Sequence, residues 1–130
     1  MILLYDGTFD GLLCALYHGF KHQDPESIIP QDAAPTGLFV DSAVISCDPA
    51  TAHRVARGIK DRLGMRTYRS LYDAFLAEDP AMGDHIFRFL KLAFSGNVHL
   101  DTVHDPDALC ISRTARKVHR QRHRYLGLLR

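Results

Sequence analysis

The 130-residue sequence has no CxxC pair, no long apolar run and, after Asp107, not one acidic side chain. Each absence excludes something. The three cysteines, Cys14, Cys47 and Cys110, are odd in number and far apart. Neither a zinc knuckle nor a redox dithiol is signalled, and reduced thiols in a cytoplasmic protein are the expectation. Nothing approaches the ~18 consecutive apolar residues of a membrane span, so no membrane partner is expected. The opening MILLYDGTFD lacks a basic stretch, and Asp6 and Asp10 interrupt its apolar run; it does not read as a signal peptide. P-loop, GxGxxG, GxSxG and HExxH patterns are missing, which removes the common signatures of nucleotide binding, serine hydrolysis and zinc proteolysis. No cofactor is implied.

What is there is the length of one domain, 1–130, with enough apolar residues for one core. The net charge of +1 hides its distribution. From Arg113 onward there are seven Lys/Arg and no Asp/Glu, whereas residues 1–112 hold nine basic against fifteen acidic groups. Such asymmetry points to a basic end that binds something, or that answers the acidic body of its own chain.

The stretch from Asp105-Pro106 onward carries that charge. On a helix of 3.6 residues per turn over 106–126, Ala108, Ile111, Ala115, Val118, Tyr125 and Leu126 share one side, which is expected to dock onto the core. Arg113, Arg116, Lys117, Arg120 and Arg124 fall almost opposite, with His119 and His123 on one flank. This cationic face covers about 16 Å, long enough for a few phosphates of a nucleic acid. Arg122 lands in the apolar stripe. Buried unpaired it would cost several kcal/mol, so its stem should snorkel to water or its head should pair with an acid at the core edge.

Taken in order, the rest reads as a mostly helical α+β chain. Ile2-Leu3-Leu4-Tyr5 is a short strand ended by the Asp6-Gly7 turn. Thr8 caps a helix running to about His22, with Phe9, Leu12, Leu13, Leu16 and Phe20 on its apolar face and Cys14 turned away from it. Residues 23–37, with three prolines, form a connection. Leu38-Phe39-Val40 and Val44-Ile45-Ser46 flank Asp41-Ser42-Ala43, the pattern of a small β-hairpin. Asp48-Pro49, Asp79-Pro80 and Asp105-Pro106 each set a capping carboxylate before a proline suited to a first helical turn. Gly64 stops the first of these helices, and a further start falls at Thr67, aligning Tyr68, Leu71, Tyr72 and Phe75. About five helices, a short N-terminal strand and the hairpin result.

The run Tyr5-Asp6-Gly7-Thr8-Phe9-Asp10-Gly11-Leu12-Leu13 resembles the opening of a family of uncharacterised bacterial proteins associated with DNA metabolism or DNA repair. Further matches follow in order: Leu38-Phe39, Ser46 with Asp48, Arg54-Val55, Phe75-Leu76 with Glu78, and Gly96 with Val98. Lys117-Val118, His123-Arg124, Gly127 and Leu129-Arg130 close the series. Family members look longer, so this chain resembles their N-terminal half. They also tend to carry Glu-Ala where this chain has Gln121-Arg122. The resemblance implies a role in DNA metabolism beside a radical S-adenosylmethionine protein, and some members are fused to a uracil-DNA-glycosylase-type domain. It carries over no catalytic residue.

Three functions stay open on this reading. The first is a non-enzymatic accessory module that binds nucleic acid through Arg113, Arg116, Lys117, Arg120, Arg124, His119 and His123. A second is an interaction subunit that docks the radical enzyme or the absent second half. The third is a nucleic-acid-processing enzyme using Asp6 and Asp10, a carboxylate pair where a strand runs into a helix. The local alternative is that Asp6 makes the turn and Asp10 complements the helix dipole. His18 and His22, like His119 and His123, have the i, i+4 spacing of metal ligands but no third ligand nearby, and no metal site is expected.

Overall fold

The computed structural model describes residues 1–22, 24–34, 41–96, 98–102 and 104–128. Among these residues a three-stranded sheet packs with five α-helices: β1 (Ile2–Tyr5), α1 (Phe9–Lys21), β2 (Ser27–Pro30), β3 (Ser42–Val44), α2 (Pro49–Leu63), α3 (Met65–Phe75), α4 (Met82–Phe94) and α5 (Pro106–Leu128). The α+β, mostly helical architecture matches the reading from sequence.

The sheet is wholly parallel, in the order β2-β1-β3. The second arm of the expected hairpin pairs with β1. Ser42–Val44, assigned in part to a turn, is itself a strand and pairs Ile2 with Ser42, Leu3 with Ala43 and Leu4 with Val44. The Ile45 amide extends the ladder, donating to the Leu4 carbonyl at 2.8 Å. The other expected arm, residues 38–40, lies outside the described residues. A short apolar run has the same appearance in a parallel as in an antiparallel pair, so its partner is a tertiary decision.

β1 is central and buried from Leu3 to Tyr5. The outer edge of β2 is closed by the first turn of α4. Asp84 accepts from the Ile28 amide at 2.7 Å and from the Ser27 hydroxyl at 2.8 Å, giving an edge donor the partner that a fourth strand would supply. Gly83 makes this approach possible, because a Cβ there would stand 2.5 Å from the Ile28 carbonyl oxygen.

α1 passes through the middle of the molecule, and every residue from Gly11 to Leu16 is buried. Cys14, expected on an outward side, is buried too. Its thiol accepts from the Asp48 amide at 3.3 Å and donates to the Asp48 carbonyl at 3.4 Å. The segment GLLCAL is apolar all round, which is the composition of a helix enclosed on every side rather than of a surface helix. Phe9, at its start, meets Tyr68, Tyr72 and Phe75 of α3 with ring centroids 5.8, 5.1 and 5.3 Å away.

The aspartates before proline act as expected, with one displacement. Asp48 accepts from the Ala50 amide and the Thr51 hydroxyl, and Asp105 from the Ala108 amide at 2.8 Å. Asp79 binds the Ala81 amide at 2.9 Å but caps a turn, and α4 begins only at Met82. α3 starts at Met65, directly after Gly64 (φ 95°), and so precedes Thr67.

Gly83→Ala should therefore lower stability by about 2 kcal/mol, because backbone rather than a flexible side chain blocks the new methyl. Chemical denaturation checks this. A loss below about 0.5 kcal/mol, the range of an ordinary surface substitution, would show that α4 does not close the β2 edge this tightly.

Candidate nucleic-acid interface

α5 is gripped at its start and again towards its middle. Asp107, in the first turn, is buried and bound by α4: His85 Nδ1 lies 2.8 Å from its Oδ1, and Arg88 donates from Nε at 3.1 Å and Nη2 at 3.0 Å. Burial pushes the Asp107 carboxyl up, but the hydrogen bonds from Arg88 and His85 outweigh it and hold the group below its ordinary value. Ala108, Ile111 and Ala115 then bury against the body, and the Ser112 hydroxyl donates to the Leu100 carbonyl at 2.9 Å. The last anchor is Arg122. Its Nη2 meets Asp73 of α3 at 2.9 Å, which places an acid at the core edge opposite the arginine that interrupts the apolar stripe.

Beyond this point the expected docking face is wrong. Tyr125 and Leu126 are 63% and 53% exposed, and Leu128 is 79% exposed. The reason is length. α5 has 23 residues and α3 has 11, about 34 Å against about 16 Å at 1.5 Å per residue. The neighbour ends at Phe75, and α5 runs past it with its apolar stripe uncovered.

Arg113, Arg116, Lys117, Arg120 and Arg124 are exposed, as are His119 and His123. No ion pair engages these cations among the described residues. The two histidine rings meet edge to face at 4.6 Å, while His18 and His22 stack at 5.7 Å. Among the described residues no group of three or more His, Cys, Asp or Glu is arranged to hold a metal ion.

The cationic stripe is not a single surface. Arg116, His119 and Arg120 turn towards α3 and face Arg66 and Arg69 across a cleft of about 850 Å³. Ser70, Ser112, Leu100 and Ala115 also line it, with Asp73 and Asp101 the acids present. Arg113, Lys117 and Arg124 are not among the lining residues. Arg66 and Arg69 escaped the sequence reading, which took α3 only for its apolar residues. An i, i+3 pair of arginines opposite an apolar stripe was the available signal.

Asp6 and Asp10 lie away from this cleft, where β1 runs into α1. Asp6 Oδ1 accepts from the Thr8 amide at 3.0 Å and the Thr8 hydroxyl at 2.6 Å, and the Thr8 oxygen in turn accepts from the Gly11 amide at 2.9 Å. Those Thr8 bonds hold the Asp6 carboxyl below its ordinary value. Nearby, desolvation followed by Cys14 and Asp6 pushes the Cys47 thiol up, and burial pushes the Tyr5 phenol up to about 12. Each shift moves its group away from proton exchange near neutral pH.

Comparison of the chain with protein-family models, curated proteins and solved structures finds no match.

The Asp107 clamp predicts an acid limb. A carboxylate held low in the folded state stabilises fully above its unfolded value, about 3.9, and that contribution is lost as pH falls through the lower folded value. Urea midpoints measured down a pH series should decline there. Asp107→Asn should start about 2 kcal/mol lower, by loss of hydrogen bonds to a charged group, and decline less. Two parallel curves would assign the acid limb to other carboxylates.

Proposed function

We propose that this chain is a nucleic-acid-binding accessory protein that acts in DNA repair or modification beside a partner enzyme. The observation that carries the binding is the set of α5 cations left exposed and without an acidic partner among the described residues. Phosphate recognition needs guanidinium and ammonium groups repeated along an accessible rod, and it needs them free of internal neutralisation. Arg66 and Arg69 of α3 add to that field from a second helix. The DNA context and the radical S-adenosylmethionine partner rest on the family resemblance alone. Asp6 is committed to the turn into α1 by its bonds from Thr8, which favours a binding module over an enzyme that uses it.

Labelled DNA should shift at low salt, with log affinity falling linearly in log salt. Replacing Arg116, Arg120 and Arg124 together by Ala should weaken binding at least tenfold on every sequence tested. The salt slope should flatten by about 0.9 for each duplex phosphate no longer neutralised. No shift by the parent protein at low salt would overturn this reading.

The uncovered Tyr125, Leu126 and Leu128 favour a second reading, in which the distal end of α5 docks a protein partner. Co-purification with a radical S-adenosylmethionine protein of the kind the resemblance implies, lost on Leu126→Asp and retained by the triple alanine variant, is the expected result. Retention by Leu126→Asp would set this reading aside.

A further inference from the structure

We infer that the cleft between α3 and α5 takes one unpaired nucleic-acid strand rather than a duplex. This rests on the nucleic-acid reading and narrows it to a ligand class.

The cleft has two cationic walls on different helices. Arg66 and Arg69 stand on α3, and Arg116 and Arg120 on α5. Arg113, Lys117 and Arg124 lie outside this cleft. α3 and α5 pack directly on each other, and packed helices have axes only about 8–10 Å apart. A groove between two adjacent helices is narrower than a base-paired rod and admits a single backbone with its bases splayed. Its volume of about 850 Å³ suits a short segment of one strand.

The chemistry of the lining agrees. Among the described lining residues His119 carries the one ring, so stacking there falls to the guanidinium groups. Guanidinium planes can stack on unpaired bases and also bind phosphate, and four arginines do both without reading sequence. Ser70 and Ser112 add hydroxyls to the lining, and Ser112 is already committed to the Leu100 carbonyl. Of the two carboxylates, Asp73 is held by Arg122. Asp101 is exposed and makes no ion pair or hydrogen bond through its side chain among the described residues, so it opposes an incoming phosphate.

The test is fluorescence anisotropy at low salt with a labelled DNA strand and a hairpin duplex of the same bases, each variant first shown to melt as the parent does. The strand should bind at least tenfold tighter than the hairpin. The Arg66→Ala/Arg69→Ala pair should weaken strand binding at least tenfold and lower its salt slope by about 1.4, two single-strand phosphates at about 0.7 each. Arg54→Ala/Arg57→Ala, which removes equal charge from exposed positions of α2, should change it less than threefold. Asp101→Asn should tighten strand binding about threefold, a gain that misfolding cannot produce. Equal or better binding of the hairpin, or equal losses from the α3 and α2 pairs, overturns the inference. If Arg113→Ala/Lys117→Ala weakens binding and Arg66→Ala/Arg69→Ala does not, the nucleic-acid reading stands and the cleft falls. If neither probe binds the parent, both fall.

Discussion

The grip of α4 on the Asp107 carboxylate fixes how the basic helix α5 is set against the body. His85 and Arg88 take hold of α5 in its first turn, and Ile111 and Ala115 then set the helix's rotation by burying on one side. With one end and one face fixed, the remaining faces of a rigid helix have no freedom left. Arg116 and Arg120 must look across at α3, and Arg113, Lys117 and Arg124 must look to water. A buried carboxylate with two donors on the neighbouring helix is costly to leave unpaired, so it selects one docking of α5 over its alternatives.

The acidic body raises the question of whether it neutralises its own basic end. The hydrogen bonds answer it locally. Asp48 and Asp105 cap helices, Asp79 caps a turn, Asp84 closes the edge of β2, Asp6 shapes the turn into α1, and Asp73 and Asp107 clamp α5. These carboxylates already satisfy backbone amides or specific partners. Among the described residues only Asp73 engages a C-terminal arginine, the one that breaks the apolar stripe. The separation of sign along the chain thus becomes a division of labour, in which these carboxylates organise backbone and helix contacts while Arg113, Lys117 and Arg124 face outward.

Much of the local structure was legible because its causes are local. Asp-Pro pairs announce helix starts, Gly64 announces a stop, and Thr8 announces a cap. What was misread had a long-range cause. Cys14 looked outward because a helix apolar all round still has a most apolar face. Ser42–Val44 looked like half of a hairpin because a three-residue strand carries no sign of its partner's direction. Arg66 and Arg69 went unnoticed because their meaning depends on α5, some fifty residues away in sequence.

The amino-acid order alone determined the helical rod after Asp105, its cationic and apolar sides, and that Arg122 must reach either water or an acid, since periodicity and desolvation act along one helix. Only the tertiary structure decided that Asp73 is that acid, that α3 supplies a facing pair of arginines, and that Tyr125 and Leu126 lie bare. Those outcomes depend on which helix lies alongside and where it ends, and the packing of the whole core sets both.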